Sequence, residues 1–257
     1  PLDANMQIMA KFEIGDGNFD IEVGVDPDYE ALEMKVGSYI NAEGKVVRDA
    51  ADAVGIVFKM EAIGDDVPAN YPVALQGKTI AGYAVAIENV VVGRQTLNNE
   101  AISSLVTTDA TVTNGTQATE ALLTGLGDVA FKTTYEKWVN EHLLDGESLS
   151  SWYIPTLNQL GEFMGMLFKV GEVEPTGGQA FREMPEFAFE NGVMFDRDPI
   201  ESVYYASCTV NGSKDVSGVI INVDKTTKQV LDAKASSLKV TGSSQKALCR
   251  PMITIFK

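Results

Sequence analysis

The chain has 257 residues, of which 45% are hydrophobic and 22% charged, and this composition is typical of a globular protein and not of a disordered one. Its 20 basic residues are outnumbered by 36 acidic ones, which gives a net charge of −16. A field of that sign repels a phosphate backbone and argues against nucleic-acid binding, and no apolar run is long enough to predict a membrane span.

The first third of the chain has the pattern of β-strands. Residues 6–14 and 19–25 alternate in part between apolar and polar types, and the turn cluster at 15–18 between them predicts a hairpin. We expect residues 1–33 to form an amino-terminal hairpin appendage and residues 34–257 to form the main domain.

Further strands are predicted beyond the appendage. Residues 36–47 suggest a second hairpin with its turn near Gly44, and residues 53–63 begin with an apolar run that indicates burial on both faces. Residues 79–92 return to strand character, and Gly82 within them marks a bulge or a close backbone approach. Residues 98–115 lack a clear period and predict a surface loop.

Two helices are predicted in the middle of the chain. The first covers residues 117–126 with Thr116 as its N-cap. The second takes Thr133 as its N-cap, with Glu136 as the partner in a capping box, and stops at Gly146. The single histidine, His142, lies on the apolar stripe of this helix, which favours a packing role over catalysis.

The segment from Trp152 to Phe168 predicts a third helix with well-defined ends. Thr156 stands at the N-cap position and Gln159 three residues later completes a capping box. Apolar residues then recur on one face, and we expect Gly161 and Gly165 to let another backbone approach the helix closely.

The remaining residues read as loops followed by strands. Residues 171–199 are rich in Gly, Pro and Glu and predict loops, with one short strand around 187–189. Strands are predicted over the last part of the chain, with a hairpin turn at 224–227, and cover 203–210, 216–223, 229–232 and 248–256.

The motifs for common enzyme chemistry are absent from the sequence. There is no phosphate-binding loop, no dinucleotide fingerprint, no zincin motif and no nucleophile elbow. Cys208 and Cys249 form either one disulfide or two buried free thiols, and their apolar strand contexts raise the pKa of a thiol. We therefore expect no catalytic residues, no metal site and no cofactor.

The order of segments resembles a known family. The segments VGIVF and GYAVAIENV, the helices, WYIPTLNQL, YYASC and CRPMITIF follow one another as in the Lcl-type domain family. In that resemblance Pro155 and Thr156 match a helix-opening Pro-Ser, residues 204–207 match a Tyr-Trp-Ser-Ser strand, and Arg250 with Pro251 matches the Arg-Pro of the final strand. The match covers roughly residues 36–257.

The resemblance implies an α+β, C-type-lectin-like fold, with two or three helices on a small twisted antiparallel sheet and long loops. It implies an exported or cell-surface bacterial protein that binds a glycan or a protein, such as an adhesin. The alternative is a structural or tip subunit of a pilus, whose amino-terminal strands pair with a neighbouring subunit. A formylglycine-generating type of oxidase is less expected, because the spacing of Cys208 and Cys249 has no counterpart there, and the calcium-binding tripeptides of true C-type lectins are also missing.

Ligand contacts are expected on the loops between the final strands, because loops on a rigid sheet commonly carry recognition. These loops cover residues 211–215, 224–228 and 241–246. The residues predicted to bind ligand are Arg197, Tyr205, Asp215, Asp224 and Lys228.

Overall fold

The fold combines helices with curled antiparallel sheets, so the predicted α+β class is confirmed. Three of the described helices have 11 or 12 residues, and no described helix has the length and apolarity that a membrane crossing requires. The computed structural model describes the backbone of residues 8–15, 18–25, 32–92, 114–126, 130–169, 172–187, 195–197, 200–211, 215–224, 226–227, 230–239 and 247–257.

The predicted amino-terminal hairpin is confirmed. Strands β1 (Ile8–Gly15) and β2 (Asn18–Val25) pair antiparallel and form a two-stranded sheet that includes no other described strand. Since directly opposed residues lie on the same face, this register leaves Met9 opposite Gly24 on one face and places most of the apolar positions of both strands on the other. These positions are Ile8, Ala10, Phe12, Ile14, Phe19, Ile21, Val23 and Val25.

A five-stranded antiparallel sheet contains the second predicted hairpin. Its order is β13-β6-β5-β3-β4, so the last strand of the chain lies at one edge. The hairpin turns through Gly44, whose φ of +81° favours glycine. The strands are β3 (Tyr39–Ile40), β4 (Val46–Val47), β5 (Gly55–Lys59), β6 (Ile80–Ala86) and β13 (Met252–Phe256).

The close approach predicted at Gly82 is confirmed. The register between β5 and β6 shifts between Val57 and Lys59, which is the signature of a bulge. A Cβ atom at Gly82 would collide with the backbone carbonyl of Lys59. Glycine is therefore required where β6 passes this bulge.

A second sheet has six strands in the order β11-β10-β9-β12-β7, with β8 also pairing with β9. Its pairs are antiparallel except β12 with β9, which is parallel where Leu248 meets Tyr205. The strands are β7 (Val90–Val92), β8 (Phe195–Arg197), β9 (Ile200–Asn211), β10 (Asp215–Asp224), β11 (Val230–Lys239) and β12 (Ala247–Cys249).

The predicted strand over residues 248–256 is two strands in different sheets. Strand β12 ends at Cys249 and β13 begins at Met252, and Pro251 lies in the break between them. Proline has no backbone N–H for a sheet ladder, so the chain can change sheets here with little loss of pairing. The two residues of the break thus join the two sheets.

The described helices are α1 (Val73–Gln76), α2 (Gly115–Leu126), α3 (Ala130–Glu141), α4 (Leu157–Leu167) and α5 (Gln179–Arg182). Short 3₁₀ helices cover Ala50–Asp52, Pro68–Asn70 and Pro185–Phe187. The strand predicted around 187–189 is wrong at Phe187, which ends a 3₁₀ helix, while residues 188 and 189 lie outside the described residues. Most of the loop predicted over 98–115 also lies outside the described residues. Only its last two residues are described: Asn114 precedes α2, and Gly115 is the first residue of α2.

Three predicted helix ends were wrong. Helix α2 is capped by Asn114 instead of Thr116, because Asn114 Oδ1 accepts the backbone N–H of Gln117 at 3.2 Å. Thr133 lies inside α3 and does not cap it, since the buried Phe131 extends the apolar face one turn towards the amino terminus. The same helix ends at Glu141, well before Gly146.

Helix α4 confirms its predicted capping box and apolar face. Thr156 Oγ1 accepts the N–H of Gln159 at 3.3 Å, and Gln159 Oε1 accepts the N–H of Thr156 at 3.1 Å. The backbone N–H of Thr176 does bond to the carbonyl of Gly165 at 3.1 Å, but the predicted need for glycine is wrong, because a Cβ atom at Gly161 or Gly165 would meet nothing within 4 Å. These glycines lie away from the buried face, so the fold does not require them.

Four aromatic residues noted in the sequence and both cysteine thiols lie in the core. The side chains of Trp152, Tyr153, Tyr204 and Tyr205 are all buried. Cys208 and Cys249 are free and fully buried, so the structure corresponds to the free-thiol alternative and not to the disulfide.

Candidate functional site

Helices α2 and α3 face each other across an open cleft of about 630 Å³, which we call the helical cleft. Its size falls in the range of small-molecule binding sites. Helix α2 lines it with Thr116, Thr119, Glu120, Leu123 and Thr124, and α3 lines it with Lys132, Tyr135, Glu136, Val139 and Asn140. Pro72, Ser151 and Trp152 complete the lining.

The lining residues follow the same spacing in both helices. In each, they occupy positions i, i+3, i+4, i+7 and i+8, which is one face of an α-helix. This spacing is visible in the sequence once both helices are placed, but the sequence does not show that these two faces meet. The site residues of the cleft were therefore not among the residues predicted.

The cleft has a buried base and a polar rim. Thr119, Tyr135 and Trp152 are buried, with exposed fractions of 5%, 2% and 5%. Residues of the rim, such as Glu120 and Asn140, are exposed. A ligand in the cleft would meet an apolar aromatic base and a ring of hydrogen-bonding groups.

Two hydroxyls of the lining residues are unsatisfied. Within the described part of the chain, neither Oγ1 of Thr116 nor Oη of Tyr135 has a hydrogen-bond partner, although both atoms are buried. Burial holds the pKa of Tyr135 well above its usual value, so this hydroxyl keeps its proton. Cys249, Cys208 and Tyr153 raise the pKa of Tyr135 further, and all three are buried in the core, so this hydroxyl faces the core and a ligand in the open cleft does not reach it.

Thr119, by contrast, is fully engaged. Its Oγ1 donates to the carbonyl of Ile154 at 3.0 Å and accepts the N–H of Ile154 at 2.8 Å. This pair of bonds ties α2 to the segment that precedes α4. The α2 wall of the cleft is therefore anchored to the core.

A cluster of four residues, which we call the indole brace, supports Trp152 from behind. It consists of Glu88, Trp138, His142 and Trp152. Trp152 Nε1 donates to the carbonyl of His142 at 2.8 Å, and its ring packs edge-on against Trp138 with centroids 5.2 Å apart. Glu88 accepts from Trp138 Nε1 at 2.6 Å and lies 3.2 Å from His142 Nε2. The brace fixes the orientation of the tryptophan at the base of the cleft.

His142 has the packing role predicted for it. Its ring stacks on Trp138 with centroids 4.3 Å apart, and its Nδ1 lies 2.8 Å from the carbonyl of Trp138. The side chain is 31% exposed. Its ring nitrogens are thus engaged within the brace.

The residues predicted to bind ligand do not lie on the helical cleft, and the structure does not bring them to one place. Arg197 on β8 and Asp224 on β10 are both opposite Ile200, so they share one end of the sheet. Asp215 is at the other end of β10, about 30 Å away at the usual rise per strand residue. Lys228 lies outside the described residues.

Two of these residues have structural partners. Tyr205 is only 6% exposed, burial raises the pKa of its hydroxyl, and the hydroxyl hydrogen-bonds with Asn89. Asp224 caps the turn after β10, since its Oδ1 accepts the backbone N–H groups of Thr226 and Thr227 at 2.9 and 2.7 Å, and these bonds lower its pKa. Both side chains therefore have structural roles in the fold.

Arg250, which the resemblance matched to the final strand, is a buried residue that connects two segments of the chain through hydrogen bonds. It is 2% exposed, and its Nη2 donates to the carbonyls of Ile87 and Glu186 at 3.1 Å each. Burial lowers the pKa of its guanidinium to about 10. The residue holds the connection between β6 and β7 against the 3₁₀ helix Pro185–Phe187.

Among the residues that the structure describes, no group of three or more His, Cys, Asp or Glu side chains is placed to hold a metal ion. Comparisons with family models, with curated proteins and with solved structures give no match to this chain.

Proposed function

We propose that this chain is a non-enzymatic binding protein, exported and displayed on a bacterial surface, which recognises a glycan through the helical cleft. The observation that carries the proposal is the cleft itself, in which two helix faces present hydroxyls, an amide and carboxylates around a buried indole and phenol. The resemblance to Lcl-type domains and their C-type-lectin-like fold supports the surface location and the binding role.

A glycan suits this lining better than a protein partner does. Sugars present hydroxyls on their edges and C–H groups on their faces, so they need closely spaced polar groups beside an apolar wall. Ser151 and Asn140 lie at the exposed part of the cleft, and Val139 and Leu123 supply aliphatic contacts. A protein partner normally needs a much larger surface, on the order of 800 Å² per partner.

The loops of the carboxy-terminal sheet are the second surface of this proposal. Arg197 and Asp224 mark one end of that sheet, and Asp215 marks the other. Arg197 brings a cationic residue to its end of the sheet, whereas Lys132 is the only cationic residue that lines the helical cleft. A ligand bound there would be recognised by different chemistry from one in the cleft.

The test is a glycan array, probed with and without calcium, followed by binding measurements on paired variants. Asn140→Trp places an indole in the cleft, while Lys137→Trp makes a comparable change on the same helix outside the lining. We expect Asn140→Trp to lose at least about tenfold in affinity for the array ligand and Lys137→Trp to retain the affinity of the original protein.

The paired variants also distinguish the two surfaces. Loss of binding in an Arg197→Ala, Lys228→Ala double variant, together with full binding by Asn140→Trp, would assign recognition to the sheet loops. If no glycan binds the original protein, the proposed ligand class is wrong.

The alternative function is a structural subunit of a surface assembly. It is favoured by the β1–β2 hairpin, which has an apolar face and pairs with no other described strand. A two-stranded ribbon is marginal alone, and a strand edge of a neighbouring subunit would extend it by β-augmentation. Light scattering on a variant without residues 1–33 tests this. A defined oligomer that becomes monomeric supports the assembly role, whereas an unchanged monomer that still binds glycan supports recognition.

A further inference from the structure

A chain of hydrogen bonds runs through the core from the start of α4 to a buried carboxylate. Gln159 Nε2 donates to Tyr153 Oη at 3.3 Å, and Tyr153 Oη lies 3.1 Å from Thr254 Oγ1. Thr254 Oγ1 lies 2.8 Å from the hydroxyl of Tyr71, which donates to Asp66 Oδ2 at 2.6 Å. All five residues are at most 3% exposed, so these groups bond to one another and not to bulk water.

The charge on Asp66 sets the direction of this chain. An ionised carboxylate only accepts hydrogen bonds, so the single proton of the Tyr71 hydroxyl is directed to it. Tyr71 must then accept from Thr254, and Thr254 in turn accepts from Tyr153. With Asp66 ionised, every donor from Gln159 onwards points towards the carboxylate.

Asp66 is the member of this chain that can change its charge near neutral pH. The titratable groups that face it are the hydroxyls of Tyr71, of Tyr83 on β6 and of Tyr153 before α4. Burial raises the pKa of all three hydroxyls, so they keep their protons. Burial also raises the pKa of Asp66, which moves its protonation from the ordinary range of aspartate towards neutral pH.

We propose that Asp66 is a proton-operated switch, in which the uptake of one proton reverses the chain of hydroxyls as far as Tyr153. The proton binds to Asp66 Oδ2, and the new O–H donates to the oxygen of Tyr71. The Tyr71 proton turns to Thr254, and the Thr254 proton turns to Tyr153. The O–H of Tyr153 thereby loses Thr254 as its acceptor. This switch is independent of the ligand that the protein binds.

The far end of the chain lies against two helices. Gln159 belongs to the capping box of α4, and Gly115 is the first residue of α2. A Cβ atom at Gly115 would collide with the ring of Tyr153 and with Gln159 Oε1, so α2 begins directly against this pair. Because α2 forms one wall of the helical cleft, the switch connects the charge of Asp66 in the core to that wall.

An NMR titration of the original protein from about pH 8 to about pH 4 tests the switch. The carboxyl carbon of Asp66 reports proton uptake, while the side-chain amide of Gln159 and the hydroxyl-bearing ring carbon of Tyr153 report the far end. We expect all three signals to shift with one midpoint, above the ordinary aspartate value of about 4. Asp66→Asn should abolish the shifts at the far end, and Asp65→Asn, which changes the neighbouring exposed carboxylate, should retain them.

Variants of Thr254 separate the hydroxyl chain from a direct effect of the charge through space. Thr254→Val removes the hydroxyl at nearly constant volume, so Asp66 should still titrate while the shift of Gln159 at that midpoint is lost. Thr254→Ser keeps the hydroxyl and should keep the shift. Tyr153→Phe interrupts the chain one step later without altering β13, and it should also remove the pH response of Gln159.

Three results would overturn the proposal. The first is a Gln159 shift that persists in Thr254→Val or Tyr153→Phe, because such a shift reports only the electric field of the carboxylate. The second is a Gln159 signal that stays constant in the original protein while Asp66 titrates. The third is an Asp66 carboxyl that keeps one charge state over the whole pH range.

Discussion

The hydroxyl of Tyr71 donates a hydrogen bond to Oδ2 of Asp66 at 2.6 Å inside the core. Tyr83 donates to the same oxygen at 2.7 Å, and Asn70 donates to Oδ1 at 3.0 Å. Asp66 is only 3% exposed, and burial raises its pKa even though the three hydrogen bonds act to lower it. The Tyr71 hydroxyl also lies 2.8 Å from Thr254 Oγ1, which connects the carboxylate to the last strand.

Because the pKa of Asp66 is higher in the folded than in the unfolded protein, the folded state takes up a proton first as the pH falls. Asp66 therefore contributes increasing stability between neutral pH and the ordinary pKa of aspartate, about 4. In Asp66→Asn this contribution is lost, and an amide N–H₂ faces hydroxyl donors. We expect a loss of about 1–3 kcal/mol at neutral pH, and the difference should widen as the pH falls towards about 4.

Urea unfolding of the original protein and Asp66→Asn at several pH values measures this difference. Tyr71→Phe provides a second comparison, because it removes a donor that lowers the pKa of Asp66 and should steepen the pH dependence. A stability difference that does not change with pH would show that Asp66 does not titrate as described.

Helix α4 offers a stabilising substitution. Gly161 and Gly165 are inside the helix and a Cβ atom at either would meet nothing within 4 Å, so Gly165→Ala should gain up to about 1 kcal/mol from helix propensity. Gly82→Ala is the control, since its Cβ would strike the carbonyl of Lys59 and should destabilise the protein. Thermal unfolding of the two variants should shift in opposite directions, and a less stable Gly165→Ala would reveal a packing constraint on α4.

Local signals in the sequence were sufficient where a few neighbouring residues decide the structure. The capping box of Thr156 and Gln159 is one case, and the close approach at Gly82 is another. The start of α3 was misplaced because Thr133 also fits an N-cap, and only the burial of Phe131 shows that the helix begins earlier.

The candidate site depended on contacts between distant segments. The cleft forms because one face of α2 and one face of α3 line the same space beside Trp152, and no residue spacing shows that two such faces will lie opposite each other. In the same way, Asp215 and Asp224 both lie next to predicted loops of one sheet. They are nevertheless at opposite ends of β10, so the length of this strand separates them. Periodicity predicts which residues share a face, but not which face another element covers.

The indole brace predicts an effect on binding from outside the cleft. Glu88→Ala removes the acceptor of Trp138 Nε1 and the carboxylate beside His142. We expect a loss of about 1–3 kcal/mol in stability and several-fold weaker glycan binding, because Trp152 is held less firmly. The chain has 2 tryptophans, Trp138 and Trp152, so a red shift of intrinsic fluorescence reports on the brace alone.

Glu88→Gln retains an acceptor for Trp138 and should recover most of the stability and binding. If Glu88→Ala leaves both the fluorescence and the glycan affinity unchanged, the brace does not position the base of the cleft.

The thiols of Cys208 and Cys249 should be inert in the folded protein. Both are fully buried, and burial raises the pKa of Cys208 to about 12 and also raises that of Cys249. Since the thiolate is the reactive form, a thiol reagent in mildly alkaline buffer should label the native protein slowly. The labelling rate should be limited by the local or global unfolding that exposes the thiols. After unfolding without reductant, both free thiols should react. Absence of labelling in the unfolded chain would show that a disulfide links them, and rapid labelling of the native chain would show that at least one of the two thiols reaches solvent.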